Sequence, residues 1–110
     1  MKRISKFKFW NFIVGRMSEA YTLEQLHKEK VYFNNLIELQ FTGLKDKNRI
    51  EVCEGDVIKT PSGIGYIVYE DSGFAIKSPG SEAVDWELSG YYLECEIIGN
   101  IYENPELINL

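Results

Sequence analysis

The sequence is poor in the residues that staple or metallate a small protein. It holds two cysteines, Cys53 and Cys95, and a single histidine, His27. No Cys-x-x-Cys pair is present, and His27 with two scattered cysteines does not complete an ordinary zinc set. No metal and no cofactor are therefore expected. Both cysteines read as small buried side chains rather than as a disulfide. That usage fits a reducing compartment, and a cytoplasmic location is expected. Apolar runs are short: Phe12-Ile13-Val14 is far below the length of a membrane span. No apolar stretch follows the basic Met1-Lys2-Arg3, so neither a signal peptide nor a membrane partner is expected. Internal repeats and low-complexity stretches are also missing.

Basic residues are scarce in one half only. Residues 56–110 carry two Lys/Arg against ten Asp/Glu, a balance of −8, whereas residues 1–55 carry ten against seven, a balance of +3. The first sixteen residues hold Lys2, Arg3, Lys6, Lys8 and Arg16 and no acid. A basic start on an acidic body can bind a phosphate backbone. It can equally pair with the acidic half of its own chain or of a neighbouring subunit. The second use is favoured, because a half carrying −8 repels nucleic acid within a Debye length.

What is present in quantity is β signal. A length of 110 residues bounds one compact domain, with room for a small N-terminal appendage. Ile4 to Trp10 alternates Phe7 and Phe9 against Lys6 and Lys8, the period of a strand with one dry face. Asn11 to Gly15 turns the chain towards a partner strand at Arg16-Met17. Thr22 is a good helix N-cap with Gln25 at the capping-box position, and Leu23, Leu26 and the Lys30 stem share one face of a short helix. Val31-Tyr32-Phe33 reads as extended and Asn34-Asn35 as a turn. Strands follow at 36–41, 55–59, 64–70, 74–77 and 91–98, separated by Gly, Pro, Ser and Asp turns. Short strands at this spacing define a small sandwich or barrel.

Candidate chemistry is thin. Gly63-Ile64-Gly65 lacks the third glycine and Lys-Ser/Thr of a phosphate loop and reads as a hairpin turn. Asp56, Glu70, Asp71, Asp85 and Glu87 offer carboxylates without a spacing that pairs two of them, and are expected as solvated acids at strand ends. Cys53 with His27 sits in no nucleophile signature. Phe7, Phe9, Trp10, Tyr66, Tyr69, Tyr91 and Tyr92 can stack bases, but alternating strand positions are the ordinary place for core aromatics. Trp86, between Asp85 and Glu87, is poorly placed for nucleic acid.

Three blocks then resemble a known family. They are Lys6-Phe7-Lys8-Phe9-Trp10 with Met17, Phe41-Thr42-Gly43-Leu44-Lys45-Asp46-Lys47-Asn48 with Glu54-Gly55-Asp56-Val57-Ile58, and Tyr91-Tyr92-Leu93-Glu94 with Glu96 to Leu107. Together and in this order they resemble the YopX family of bacteriophage and prophage proteins. Three departures stand out: Arg49 where the family has Gly after Asn, Cys53 where it has Tyr, and Phe9 where it has Ala. Without that Gly, a positive φ in the turn is expected on Asn48, or a change of turn type. The resemblance implies an SH3-like β-roll in the C-terminal part, a phage-encoded protein acting in a bacterial cytoplasm, and no catalytic residue or cofactor.

The expected fold is thus mainly β, with a small SH3-like barrel or roll over residues 41–110 and a short mixed β/helix element over residues 1–40. The expected function is that of a phage or prophage accessory protein, not an enzyme, working by protein–protein contact as a homo-oligomer or with a host or phage protein. A nucleic-acid-binding module using the basic start is the alternative. Lys2, Arg3, Lys6, Lys8, Trp10 and Arg49 are the candidate interaction surface.

Overall fold

The computed structural model describes residues 6–28, 35–61, 63–70, 73–78, 84–85 and 94–108. Expectations for Lys2, Arg3, Val31 to Phe33, Trp86 and Tyr91 to Leu93 lie outside these residues. The elements are β1 (Lys6–Asn11), β2 (Arg16–Met17), β3 (Tyr21–Thr22), α1 (Leu23–Lys28), β4 (Leu36–Lys45), β5 (Glu51–Cys53), β6 (Asp56–Thr60), β7 (Gly63–Glu70), β8 (Gly73–Lys77), β9 (Val84–Asp85) and β10 (Glu96–Asn100), with a 3-10 turn at Pro105–Leu107.

The chain is mainly β, in two antiparallel sheets. The first runs β2-β1-β4-β5, with β3 also paired to β1; the second runs β10-β6-β7-β8-β9. Strand β4 serves two neighbours: residues 36–40 face β1, and Phe41 and Lys45 face Cys53 and Glu51 of β5. Residues 40 and 41, where the sequence reading divides the chain, both lie inside this strand. The chain crosses from the first sheet to the second at Glu54-Gly55. The second sheet is a meander from β6 to β9 that β10 rejoins beside β6, the curled roll expected of the C-terminal part.

The core follows from alternation. Val52, Ile58, Ile67, Ile76 and Cys95 form one buried cluster, with Leu44, Phe74 and Ile97 against it. Each buried aliphatic side chain contributes roughly 1.5–3 kcal/mol. Phe9 and Leu39 are buried in the first sheet. Phe7 is only half-buried, and the lysine face of β1 is not free in solvent as its pattern suggested. Lys6 and Lys8 both lie over the Phe41 ring, at 5.4 and 5.7 Å from its centre. Their ammonium groups thus stand over an aromatic ring while they pair with carboxylates.

Local chemistry sets the remaining elements. Gln25 N–H donates to Thr22 Oγ1 at 3.2 Å and Thr22 N–H donates to Gln25 Oε1 at 2.8 Å, the reciprocal pair of a capping box. Of the apolar face read for this helix, Leu26 is half-buried but Leu23 is exposed. A helix of six residues is held by its neighbours more than by its own propensity. Thr60 faces Gly63 across the β6–β7 hairpin, and Thr60 Oγ1 donates to Gly63 O at 3.0 Å. The Gly63-Ile64-Gly65 stretch is therefore a hairpin entering a strand.

Candidate interaction surface and the buried carboxylates

The charged stretch from Phe41 to Ile58 builds the junction of the two sheets. Between Phe41 and Lys45 three residues of β4 oppose Val52 alone, so the strand bulges. Buried Thr42 repairs the ladder: its hydroxyl donates to Val52 O at 2.9 Å and accepts Leu44 N–H at 3.0 Å. Then comes a tight turn. Arg49 N–H donates to Asp46 O at 3.0 Å, and Asp46 N–H donates to Ile50 O at 2.9 Å. The residue in the left-handed region is Arg49 itself, at φ 64°, and not Asn48 as the sequence suggested. A turn followed by one left-handed residue is a common hairpin loop, and glycine suits its last position. This accounts for the family's Gly at that place.

Two acids of this stretch are buried, and one of them, Asp56, was expected in solvent. Asp46 accepts N–H from Asn48 and Ile50 at 2.9 Å each and from Ile97 at 3.0 Å, tying the turn to β10. Burial, the largest influence, raises its carboxyl, but these hydrogen bonds and Lys47 outweigh it and leave Asp46 below the ordinary value. Asp56 Oδ2 accepts Cys53 N–H at 2.8 Å, and Lys8 Nζ stands 3.7 Å from Oδ1. Here burial wins, and the carboxyl is pushed up to about 6 against the Lys8 charge and the Cys53 hydrogen bond. Asp56 thus holds a backbone N–H inside the fold instead of standing in solvent at a strand end.

Cys53 and Cys95 are free and buried. Burial raises both thiols, Cys95 to about 11, so neither is a ready nucleophile.

The candidate surface residues do not gather. Lys6 pairs with Glu51, Lys8 with Asp56, and Trp10 packs on Tyr102 with ring centres 5.8 Å apart. Arg49 is exposed at the tip of the β4–β5 hairpin. Lys2 and Arg3 lie outside the described residues. What the sequence reading passed over is the β1–β2 turn. Phe12, Ile13 and Val14 are 54%, 67% and 61% exposed there. Asn11 Oδ1 accepts the Ile13 and Val14 N–H groups at 3.0 and 3.2 Å, so the turn is built while its side chains point outward. Beside it a mainly apolar groove of about 300 Å³ is lined by Phe9, Val14, Met17, Tyr21 and Leu36, with Asn11, Arg16 and Ser18 as its polar members. The signal was visible: an apolar run placed on a turn instead of a strand.

Fold and surface together define a small two-sheet β protein with an apolar hairpin tip. The chain belongs to the YopX family, whose YopX protein description matches residues 7–109. Among solved structures it is similar to the crystal structure of protein EF1440 from Enterococcus faecalis. The TM-score is 0.65 at 23% identity, over 98% of this chain and 100% of that one, a likeness of fold. No curated protein matches the chain. No helix among the described residues is long and apolar enough to cross a membrane.

Proposed function

We propose that this chain is a phage or prophage accessory protein that works in the bacterial cytoplasm by protein–protein contact, as a homo-oligomer held through its β1–β2 turn. It is not an enzyme in this reading. One observation carries it: three consecutive large apolar side chains stand in solvent beside an apolar groove. Single exposed apolar residues are ordinary, whereas a contiguous patch with a groove is the usual mark of a contact surface. Family membership supports the phage setting. The nucleic-acid alternative has less support, since Lys6 and Lys8 are already spent on Glu51 and Asp56. A salt-dependent gel shift with DNA or RNA would restore it.

Sedimentation in moderate salt tests the proposal. The chain is expected to sediment as an oligomer, and the Phe12→Ser, Ile13→Ser, Val14→Ser triple variant as a monomer that still unfolds in one cooperative transition, at the melting temperature the parent approaches on dilution. A parent chain that stays monomeric at high concentration overturns the homo-oligomer.

A further inference from the structure

The lysines of β1 leave two carboxylates unmatched. Lys6 and Lys8 are engaged with Glu51 and Asp56. Glu38 on β4 and Glu54 at the β5–β6 turn have no basic partner among the described residues. Both line one cleft of about 230 Å³ between the sheets, together with Gln40, Phe7 from β1 and Tyr69 from β7. Hydrogen bonds tie its Gln40 and Glu54 sides together. Glu54 N–H donates to Gln40 O at 2.9 Å, and Gln40 N–H donates to Glu54 Oε1 at 3.4 Å. Tyr69 meets Phe74 edge to face, with ring centres 5.0 Å apart. Burial raises the Glu54 carboxyl, Gln40 N–H lowers it, and the charge on Glu38 raises it again. Exposed Glu38 and half-buried Glu54 therefore line one open cleft together with the rings of Phe7 and Tyr69.

Which cation fits is a matter of donor count and wall chemistry. Calcium wants six or more oxygen ligands, more than the two carboxylates and one amide of this cleft, and magnesium, which keeps its waters, would gain nothing from the aromatic rings. Aromatic walls favour a weakly hydrated organic cation, which also donates charge-assisted hydrogen bonds to carboxylates. We propose that the cleft binds one alkylammonium or guanidinium group, carried either by a free polyamine or by a Lys or Arg side chain of a peptide. The cleft does not include the β1–β2 turn, so its test is separate from that of the oligomer.

The experiment is an amide NMR titration of the full chain with spermidine, with agmatine and with the amide of Gly-Arg-Gly, using magnesium chloride as the control. Saturable shifts at Gln40, Glu54 and Tyr69 are expected with the organic cations and not with magnesium. Glu38→Gln and Glu54→Gln should each weaken the Kd about tenfold, the loss of one charge contact of roughly 1.4 kcal/mol. Tyr69→Leu should weaken it about threefold, while Glu106→Gln, away from the cleft, changes nothing. Binding of spermidine without the peptide assigns the cleft to free polyamines; binding of the peptide assigns it to side chains. Equal shifts with magnesium, no saturation, or a Kd unmoved by both glutamate variants overturns the proposal. Melting temperatures of the variants, expected to match the parent, separate lost binding from lost fold.

Discussion

Gly55 carries the crossing between the sheets on one residue. Its φ is 88°, in the left-handed region that a side chain disfavours. A Cβ built there lies 2.9 Å from Cε2 of Tyr102. Its N–H donates to Ile67 O and its carbonyl accepts Ile101 N–H, both at 2.8 Å, so the backbone cannot swing away cheaply. Gly55→Val therefore meets two penalties at once, left-handed strain of about 1–2 kcal/mol and overpacking of about 1–3 kcal/mol. It is expected to destabilise by about 3 kcal/mol, beyond the ~1 kcal/mol of an ordinary point mutant. Urea denaturation measures this, and an unchanged midpoint would show that the crossing tolerates a side chain. Arg49 shares the left-handed conformation but sits exposed at a turn, where strain is the whole cost.

The β4–β5 hairpin shows what an element owes to one side chain. Asp46 serves the Asn48, Ile50 and Ile97 N–H groups, the last of them 51 residues away. Asp46→Ala strips all three of their acceptor. A hydrogen bond to a charged acceptor contributes about 1.5–3 kcal/mol, and these three are part-buried, so the variant should lose at least about 2 kcal/mol. Hydrogen exchange is the sharper measure: the Ile97 amide should lose protection more than the amides of β7. Equal loss across both strands would mean that Asp46 does not anchor β10. Elements of this kind explain what was legible in the sequence. The Thr22–Gln25 capping box, the β6–β7 hairpin and the strand periods are written locally, in residues a few positions apart. The extension of β4 to Lys45 was not, because a bulge held by Thr42 breaks the alternation. Three-residue β5 is too short to show a period. Nor was the burial of Asp46 and Asp56 legible, since acids beside glycines look like a solvated turn until Ile97 and Lys8 are brought to them. The exposed run at residues 12–14 was read for its length and not for its place.

At the scale of the whole molecule, the uneven charge of the two halves is partly met inside the fold. Lys8 of the basic half reaches Asp56 of the acidic half, and Lys47 reaches Glu96 at 3.4 Å. The Lys8 pair does not fully repay the burial of Asp56, and this gives stability an unusual dependence on pH. The carboxyl of Asp56 is raised from 3.8 to about 6 in the folded protein. Between these values the native state binds a proton that the unfolded chain does not, so stability rises as pH falls through about 6 and levels off near the unfolded value. Glu54 is raised and acts in the same direction. Asp46 acts in the opposite sense: its carboxyl lies below 3.8, so its stabilisation is complete above that value and lost only at lower pH. The chain should therefore be most stable between roughly pH 4 and 5, by about 2 kcal/mol over neutral pH from Asp56 alone, at roughly 1.4 kcal/mol per pH unit. Urea denaturation at about pH 4.5 and about pH 7.5, in dilute solution because the first is close to the isoelectric point, measures the difference. Asp56→Asn keeps the shape, removes the titration, and should flatten most of the slope. An Asp56→Asn variant with the parent's slope would assign the effect to the net charge of −5, whose repulsion also fades on acidification, and stability that falls on acidification in this window would overturn the raised carboxyl itself.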